Sequence, residues 1–355
     1  MEQRYDIIVV GAGPAGSIFC RQAPGDLRIL RIDGSGAADG HRKKPCGGLL
    51  APQAAQALAA LGLTLPKAVL TDPQIFAVRT MDIETGREQT YPRNYVNMDR
   101  DAFDGWLKSL AADNVTDVYG RVSGVQKAED GWRVTYTDGA GEKKTAAAKY
   151  IVGADGAGGM IRRAVYPKRR VYSYTALQRW YPLQGEPLYA CVFHRPSSPS
   201  CSWLFAKDGK LAFGGAFERQ GCRQAFLQQE RILKEQYGFA MEQVLTEEAC
   251  VVYRPRYGRD IYGGQDGCWL IGEAAGLISP SSFEGISYAI RSGAALAASI
   301  ARTDCDKITR AYTKAIKPLK REVLARRLKR PFMYNKALRN LVLKSGLQAM
   351  AAKKF

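Results

Sequence analysis

A strand, a glycine turn and a helix follow one another at the start of the chain, and their order restricts the fold more than any other feature. Residues 5–10, YDIIVV, form an apolar, β-branched run with the length of a buried strand. After it come the six residues of a GxGxxG motif that opens a helical pattern, Gly11, Ala12, Gly13, Pro14, Ala15 and Gly16. In a βαβ unit such glycines permit a tight turn, close approach of the backbone to a pyrophosphate, and close helix–strand packing. The segment therefore predicts a Rossmann-type dinucleotide site.

An acidic residue at a suitable distance strengthens this prediction. Residues 28–32, RILRI, are typical of a second strand, and Asp33 follows it 22 residues after Gly11. A carboxylate at that position can bind the hydroxyl pair of a ribose. The loop after the strand also contains Asp39, so the assignment to Asp33 is less secure than the glycine motif.

Three further segments decide which dinucleotide is meant. They are NMDRDAFDGWL at 97–107, YIVGADGAGGMIRR at 150–163 and CWLIGEAAGLISPSSFEGISYAIRSG at 268–293. The second is typical of a strand followed by Asp-Gly, and the third of a strand, a Gly-Glu pair, a loop and a helix. Their order along the chain is more informative than any one of them. The stretch KKPCGGLL at 43–50 stands apart, with one cysteine between a proline and two glycines.

In this order the segments resemble the FAD-dependent oxidoreductases of the para-hydroxybenzoate hydroxylase class, and within it the geranylgeranyl reductase branch. KPCGGLLAP, DPQIF, GADGAGGMIRR and IGEAAGLISPSSFEGISYA together most resemble its bacterial CbrA-type proteins. The similarity runs from about residue 4 to residue 350. It implies an α/β fold with a Rossmann-type FAD-binding domain, an antiparallel-sheet substrate domain and a C-terminal helical segment. The corresponding boundaries are 1–165 with 260–300 for the FAD-binding domain, interrupted by a substrate-domain insertion near 66–98; 166–259 for the substrate domain; and 301–355 for the basic helices.

The resemblance also implies a set of FAD contacts. The glycine motif would hold the pyrophosphate, Asp33 the adenosine ribose, Arg100 the phosphate and ribityl side, and the backbone of Val122 the adenine. The remaining contacts would come from the second fingerprint, the third fingerprint and the loop beside the flavin: Asp155, Gly156, Gly272, Glu273, Pro280, Gly285 and Ile286. A helix that begins near Gly285 would stabilise negative charge on the reduced isoalloxazine.

Two positions depart from the family pattern. The serine that usually follows the Asp-Gly pair three residues later is Gly159 here, although Arg162 is kept. The third fingerprint is normally Gly-Asp, whereas this chain has Gly272-Glu273, as the CbrA-type pattern does. The longer glutamate side chain can reach a ribityl hydroxyl after a modest shift of the backbone.

The loop Pro45-Cys46-Gly47-Gly48 occupies the place of a flavin-facing loop in the geranylgeranyl reductase branch. The glycines would bring the backbone against the isoalloxazine because no Cβ is in the way. Cys46 would then point into the cavity near the reacting alkene, which makes it the candidate catalytic residue. Lys43 and Lys44 could lower its pKa. The alternative is that Cys46 is only a small buried residue in a tight loop.

Aromatic-rich strands between about residues 170 and 260 favour a sheet over the flavin and an apolar substrate cavity. Trp203 and Phe205 match part of a substrate-lining motif of the branch, in which Cys201 and Ala206 replace the usual tyrosine and proline. An ordinary aromatic residue in a half-buried strand explains Trp203 about as well.

No second strand–GxGxxG–helix unit occurs, so the electron donor must be external, either NADPH or a ferredoxin-type protein. The only histidines, His41 and His194, lie in loop-like surroundings, so a proton would come from water, a tyrosine or Cys46. The eight cysteines are scattered without a CxxC pair, which predicts neither a metal site nor a disulfide framework and favours a reducing compartment.

Positive charge is concentrated at the C-terminal end. Residues 302–355 hold 16 lysines and arginines against three acids, which accounts for +13 of the net +18. The cations alternate with apolar residues at helical spacing, interrupted by Pro318 and Pro331, which predicts amphipathic helices. These suit either an anionic membrane surface or a helical cap with a solvated basic face; a nucleic acid is disfavoured because no recognisable binding motif accompanies the charge. Without a signal peptide or a membrane span, the expected location is cytoplasmic, possibly peripheral to the inner face of the membrane.

The expected function is therefore reduction of C=C bonds in a long isoprenoid or prenyl lipid, by hydride transfer from N5 of reduced flavin. Two alternatives stay open. The same fold serves flavin monooxygenases and halogenases that act on aromatic substrates, and the chain could instead be a flavin- or lipid-binding protein without turnover.

Overall fold

The computed structural model describes residues 3–34, 46–304, 307–346 and 349–350. Its strands are β1 (Gln3–Val10), β2 (Ile29–Asp33), β3 (Leu49–Leu50), β4 (Ile75–Asp82), β5 (Arg87–Asn97), β6 (Val115–Ala128), β7 (Gly131–Asp138), β8 (Lys143–Gly153), β9 (Ser173–Pro182), β10 (Tyr189–Phe193), β11 (Ser202–Lys207), β12 (Lys210–Phe217), β13 (Thr246–Tyr253), β14 (Gly264–Gln265) and β15 (Cys268–Leu270).

Helices cover both sheets that these strands form. They are α1 (Pro14–Gln22), α2 (Pro52–Ala59), α3 (Arg100–Ser109), α4 (Met160–Val165), α5 (Cys222–Tyr237), α6 (Ile286–Ala301), α7 (Ile308–Ala315), α8 (Lys317–Ala325), α9 (Arg330–Tyr334) and α10 (Lys336–Ser345). The predicted fold class, an α/β fold with a Rossmann-type unit and a helical C-terminal segment, is confirmed.

The first sheet is built on the amino-terminal βαβ unit. β2 and β8 flank β1 in parallel, β6 continues the parallel arrangement beside β2, and β15 continues it beside β8. The antiparallel strand β7 joins β6 to β8. β6 is longer than the short strand expected around Val122, because its second half pairs with β7 after its first half has paired with β2.

The second sheet has eight strands in the order β13-β9-β12-β11-β10-β4-β5-β3. Most neighbours are antiparallel, as predicted, but β10 pairs with β4 in parallel, so the sheet is mixed. The parallel pair occurs where β4 and β5, from residues 75–97, join the strands of residues 173–253. On one face of the sheet, α5 closes an apolar core in which Phe226 packs on Phe213 and Phe217.

The C-terminal segment forms helices that pack on the rest of the protein. α8 and α9 each begin one residue before a proline, Pro318 and Pro331, because proline is tolerated in the first turn of a helix but not in its interior. Buried contacts of Tyr312, Val323 and Tyr334 fix the segment to the body of the chain. Among the described residues, no helix combines the length and the apolar composition that a bilayer span requires.

Candidate functional site

The predicted nucleotide-binding residues meet at one edge of the first sheet. Gly11 follows β1, Asp33 ends β2, Asp155 lies two residues after β8, and Gly272 lies two residues after β15. Because these four strands are parallel, their carboxyl ends share an edge, which is where open α/β sheets bind their ligands. The structure therefore brings all three fingerprints together.

The first fingerprint leaves space for a phosphate beside Gly13. A Cβ on Gly11, whose φ is +103°, would lie 2.5 Å from the carbonyl oxygen of Ala154, and one on Gly16 would overlap the carbonyl of Gly11. A Cβ on Gly13 would meet nothing within 4 Å. Helix α1 begins at the next residue without a side-chain cap, so its first N–H groups face the open side. These features fit a bound pyrophosphate.

Asp33 lies buried at the end of β2, where Lys108 of α3 reaches it with an Nζ–Oδ2 distance of 3.3 Å. The neighbouring strand residue Arg31 is fully buried and forms a two-point ion pair with Asp117, through Nε at 2.6 Å and Nη2 at 2.7 Å. Sequence reasoning did not identify Lys108, because only the tertiary contact of α3 with β2 brings it to the acid.

Asp155 caps α4, since its Oδ2 accepts a hydrogen bond of 3.0 Å from the backbone N–H of Ile161. Burial raises the pKa of Asp155 to about 6. Its Oδ1 is buried and has no hydrogen-bond partner among the described residues, so it is available to a ligand hydroxyl. A Cβ on Gly159 would overlap this same oxygen, which explains why the usual serine is absent.

The third fingerprint packs directly on the first. A Cβ on Gly272 would lie 3.0 Å from the Cβ of Ala15, so the turn 272–275 touches the start of α1. Glu273 is buried, and its Oε1 accepts from the backbone N–H of Tyr253 at 2.9 Å. Arg162 supports the turn by donating to the carbonyl oxygen of Ala274 at 3.0 Å. Glu273 thus ties the turn to the end of β13.

The loop after this turn leads into α6, which begins at Ile286 with Gly285 as its N-cap, as predicted. In this loop, the carbonyl oxygen of Pro280 accepts a hydrogen bond from Nε of Arg254 at 3.0 Å. The sequence pattern assigned no role to Arg254, which is fully buried at the end of the second sheet.

The sequence of the chain is similar to that of known bacterial proteins. Protein CbrA of Escherichia coli strain O139:H28 is 36% identical over 353 residues, which cover 97% of this chain and 98% of that protein. The chain belongs to the CbrA family.

The fold of the chain is shared with flavin enzymes. A model described as an FAD binding domain matches residues 63–212. A geranylgeranyl bacteriochlorophyll reductase-like protein of Thermoplasma acidophilum superposes with a TM-score of 0.72 at 21% identity, covering 99% of this chain and 89% of that one. The myxobacterial chondrochloren halogenase CndH gives 0.70 at 17% identity, covering 97% and 90%. This CbrA family member therefore has the fold of the para-hydroxybenzoate hydroxylase-like flavoproteins.

The predicted flavin loop is described from Cys46 onward, and Pro45 lies outside the described residues, as do Lys43, Lys44 and His41. Cys46 Sγ accepts from Nη1 of Arg100 at 3.2 Å, and Nε of the same guanidinium donates to Asp104 at 2.9 Å. Burial opposes the charge of Arg100, but the two partners hold its pKa above the ordinary value. Two residues predicted for separate roles are therefore in direct contact.

Lys207, at the end of β11, also contacts the loop 46–48, through the backbone of Gly47. It is buried, and its Nζ donates to the carbonyl oxygens of Gly47 at 3.1 Å and Met98 at 2.5 Å. A side chain on Gly48, whose φ is +57°, would overlap Nζ. Burial lowers the pKa of Lys207 to about 8. The sequence gives one weak signal for this role. The alternation of side chains along β11 places Lys207 on the same face of the strand as Trp203 and Phe205, where a lysine is unexpected.

Trp203 and Phe205 share a face of β11 with Lys207, opposite the core beneath α5. Phe205 is fully buried, and a Cβ on Gly47 would lie 3.4 Å from its ring. Trp203 is half-buried, and its Nε1 donates to Oε1 of Gln178 at 2.8 Å. The flavin-facing loop and the predicted substrate residues thus lie side by side.

Several other reactive side chains are not near this loop. His194 pairs through Nδ1 with Ser197 at 2.7 Å, and burial lowers its pKa. Within the part of the chain that the structure describes, no group of His, Cys, Asp or Glu has the arrangement of a metal site, and seven cysteines are free thiols.

Proposed function

We propose that this CbrA family member reduces C=C bonds of a long isoprenoid or prenyl lipid. The observation that carries the proposal is the contact of the Cys46–Gly48 loop with the aromatic face of β11. This side of the sheet offers Phe205 and Trp203 of β11 together with Trp180 of β9, whose ring meets the Phe205 ring edge-on at 5.8 Å. An apolar aromatic wall beside a loop that carries a thiol suits an alkene substrate better than a small polar one.

FAD supplies the hydride, which its reduced form releases from N5. The residues of the chain then have separate tasks. Phe205 and Trp203 align the apolar substrate and exclude water, while Cys46 gives a proton to the second alkene carbon. The guanidinium of Arg100, 3.2 Å from the sulfur, stabilises the thiolate that remains after proton donation. Lys207 holds the loop in place through its two carbonyl acceptors.

The electron donor is external in this proposal, either NADPH or a ferredoxin-type protein. Anaerobic mixing of the FAD-loaded protein with each donor, followed by absorbance of the oxidised flavin, distinguishes the two. Bleaching by NADPH alone would assign the donor. Bleaching only in the presence of reduced ferredoxin would assign the protein donor.

A membrane contact is part of the proposal, because a long isoprenoid has to be taken from a lipid phase. The C-terminal helices keep large apolar side chains exposed among lysines and arginines: Leu328 at 75%, Phe332 at 55% and Leu341 at 64%. Exposed apolar residues beside cations suit an anionic membrane surface. The protein should therefore sediment with vesicles that contain phosphatidylglycerol more than with neutral phosphatidylcholine vesicles, and the L328S/F332S variant should lose this difference.

The decisive experiment is anaerobic turnover. FAD-loaded protein, reduced with dithionite, is incubated with a polyprenyl lipid, and the product is analysed by mass spectrometry for two added hydrogens per reduced bond. Lipids that co-purify with the yellow protein provide the first substrates to test. Oxygen-dependent hydroxylation or halogenation of an aromatic substrate would instead assign a monooxygenase or halogenase. A colourless protein that gains no FAD on reconstitution would contradict catalysis altogether.

A further inference from the structure

Four residues form a line across the second sheet, one on each of four neighbouring strands. Trp203 of β11 lies opposite Gly214 of β12, which in turn lies opposite Gln178 of β9. Glu248 of β13 lies opposite Gln178 on its other side. Because residues opposite one another in a sheet point to the same face, all four belong to the face that carries Phe205. We name these four residues the Trp203–Glu248 row.

Gly214 allows the indole of Trp203 to cross β12. A Cβ on Gly214 would lie 2.5 Å from Nε1 of Trp203, so a side chain there would occupy the place of the ring. The indole therefore extends to the third strand of the row, where its Nε1 donates to Oε1 of Gln178 at 2.8 Å. Gln178 is fully buried and Trp203 is half-buried, so this hydrogen bond is largely shielded from water.

Glu248 determines which way the amide of Gln178 points. Nε2 of Gln178 donates to Oε2 of Glu248 at 3.1 Å. A carboxylate can only accept a hydrogen bond, whereas an indole N–H can only donate one. A glutamine amide between these two groups satisfies both in a single orientation, with its nitrogen toward the acid and its oxygen toward the indole. Glu248 thus fixes Gln178, and Gln178 fixes Trp203.

This arrangement uses the whole hydrogen-bonding capacity of Trp203. Nε1 is the only polar atom of the side chain, and Oε1 of Gln178 already accepts from it. The indole therefore presents only its apolar ring to a ligand. The next row on this face of the sheet is apolar too, since Ala216 lies opposite Ala176. An oxygen of a ligand beside Trp203 would lose its water without gaining a donor from the indole.

We propose that Gln178 and Glu248 are positioning residues that make the surface around Trp203 selective for hydrocarbon chains. They keep the indole N–H bound within the sheet, so that a substrate chain meets the ring alone. Chains that carry an oxygen beside Trp203 are rejected, because burial of an ether or hydroxyl oxygen without a hydrogen bond is unfavourable. This proposal rests on the proposed function for the contact of Trp203 with the substrate.

Reversal of the charge at Glu248 tests the direction of the row. Glu248→Lys replaces the acceptor by a donor, so the amide of Gln178 should turn its nitrogen toward the indole and break the hydrogen bond. Gln178→Met removes the acceptor outright and should have the same effect. Heteronuclear NMR of the FAD-loaded protein detects the indole N–H of Trp203, assigned with Trp203→Phe. In both variants this N–H should exchange with water at least about tenfold faster than in the wild type.

Two control variants separate the row from a general effect of substitution. Glu248→Gln still offers an oxygen to Nε2 of Gln178, so the indole N–H of Trp203 should keep its slow exchange. Thr246→Lys adds a lysine to the same face of β13, two residues away, at an exposed position opposite Trp180. It should also leave the exchange rate unchanged.

Binding to the FAD-loaded protein measures the selectivity without requiring turnover. Calorimetry compares geranylgeraniol with a series of analogues in which an ether oxygen replaces one methylene along the chain. The wild type, Glu248→Gln and Thr246→Lys should bind at least one analogue about tenfold or more weakly than geranylgeraniol. In Glu248→Lys this difference should fall below about threefold, because an indole released from Gln178 can donate to the ether oxygen.

Four outcomes would contradict part of this scheme. Fast exchange of the Trp203 N–H in the wild type, or equal exchange in the wild type, Glu248→Lys and Gln178→Met, would overturn the direction of the row. Faster exchange with an unchanged preference between the chains would overturn the selectivity role. Selective binding of geranylgeraniol without reduction of its double bonds would contradict the proposed reaction and leave the selectivity standing. If no chain binds to the wild type, both the proposed function and the selectivity are wrong.

Discussion

Arg100 donates from Nη1 to the sulfur of Cys46 across 3.2 Å, although 54 residues separate them in the chain. The contact joins the predicted flavin loop to the first turn of α3. It is continued by the ion pair of Arg100 with Asp104, one helical turn further on. A change of Arg100 should therefore affect both the predicted cofactor contact and the thiol, whereas a change of Cys46 should affect the reaction alone.

Replacement of the thiol is the most direct test of Cys46. Cys46→Ala should retain bound FAD but lower the rate of alkene reduction by about 100-fold or more, because the proton donor is lost. Single-turnover oxidation of the reduced protein by substrate measures this rate. Cys222→Ala, a half-buried cysteine on α5, is the control and should react like the wild type. Unchanged turnover in Cys46→Ala would make the cysteine a packing residue.

Replacement of Arg100 should weaken the cofactor site and the thiol together. Arg100→Gln removes a positive charge from the predicted phosphate contact, so the dissociation constant of FAD should rise by about tenfold or more. The rate of alkylation of Cys46 should also change, because the guanidinium no longer contacts Sγ. Flavin fluorescence and peptide mass spectrometry measure the two effects, and Arg21→Gln at the end of α1 serves as the control. Weaker FAD binding with unaltered alkylation would separate the two functions.

Lys207 should make stability depend on pH in the alkaline range. Burial lowers its pKa to about 8 in the folded protein, against an ordinary value of 10.5. Between these two pH values the lysine binds more protons in the unfolded chain than in the folded protein. The free energy of unfolding that this residue contributes therefore increases as pH rises across the window, and this gain is lost as pH falls through about 8. Lys207→Met should remove this contribution, on the order of 3 kcal/mol across the window.

Urea unfolding of both proteins at several pH values from about 7 to 10.5 measures this difference. The difference in free energy of unfolding between the wild type and Lys207→Met should change steadily with pH between about 8 and 10.5. Lys210→Met, an exposed lysine at the start of β12, should run parallel to the wild type. Parallel curves for Lys207→Met would show that the carbonyl oxygens around Nζ keep the ammonium charged.

Gly214 provides a way to move Trp203 without removing it. A Cβ on Gly214 would lie 2.5 Å from Nε1 of Trp203, so Gly214→Ala must displace the indole and break its hydrogen bond to Gln178. If Trp203 lines the substrate, KM should increase several-fold while bound FAD stays unchanged. Gly25→Ala, whose Cβ would meet nothing within 4 Å, controls for the loss of a glycine. An unaltered KM would indicate that Trp203 only packs in the sheet.

A buried ion pair contributes to the attachment of the last C-terminal helix. Arg339 of α10 binds Asp82 of β4 through Nε at 2.9 Å and Nη2 at 2.8 Å, with both side chains almost fully buried. Arg339→Met leaves an uncompensated buried carboxylate, which should cost about 3–5 kcal/mol of unfolding free energy. Arg87→Ala, which removes a surface contact to Asn340 of the same helix, should cost less than about 1 kcal/mol. Chemical denaturation measures both, and equal losses would contradict the special role of Arg339.

The βαβ unit and the three fingerprints could be predicted from the sequence because short-range rules determine them. Glycine spacing, strand hydrophobicity and proline position act within a few residues, so the starts of α1, α6, α8 and α9 were predictable. The parallel pairing of β10 with β4 was not, because nothing in either strand specifies a partner about a hundred residues away.

The supporting residues of the site were missed for a related reason. Lys108 lies on a regular helix, Lys207 on a regular strand and Arg254 directly after β13, and they only become informative once their tertiary neighbours are known. Gly159 shows the opposite case. It appeared as a departure from a motif, and the structure explains it by the Asp155 oxygen that any side chain there would strike.

The third fingerprint comes late in the chain, and this has a consequence for the order of synthesis. On the ribosome, the first fingerprint emerges some 250 residues before Gly272, which has to pack on Ala15. The whole second sheet is made in the interval. Translation therefore reaches a point at which the second sheet is complete while the first still lacks β14 and β15, so the three fingerprints can meet only after the segment that contains Gly272 has left the exit tunnel.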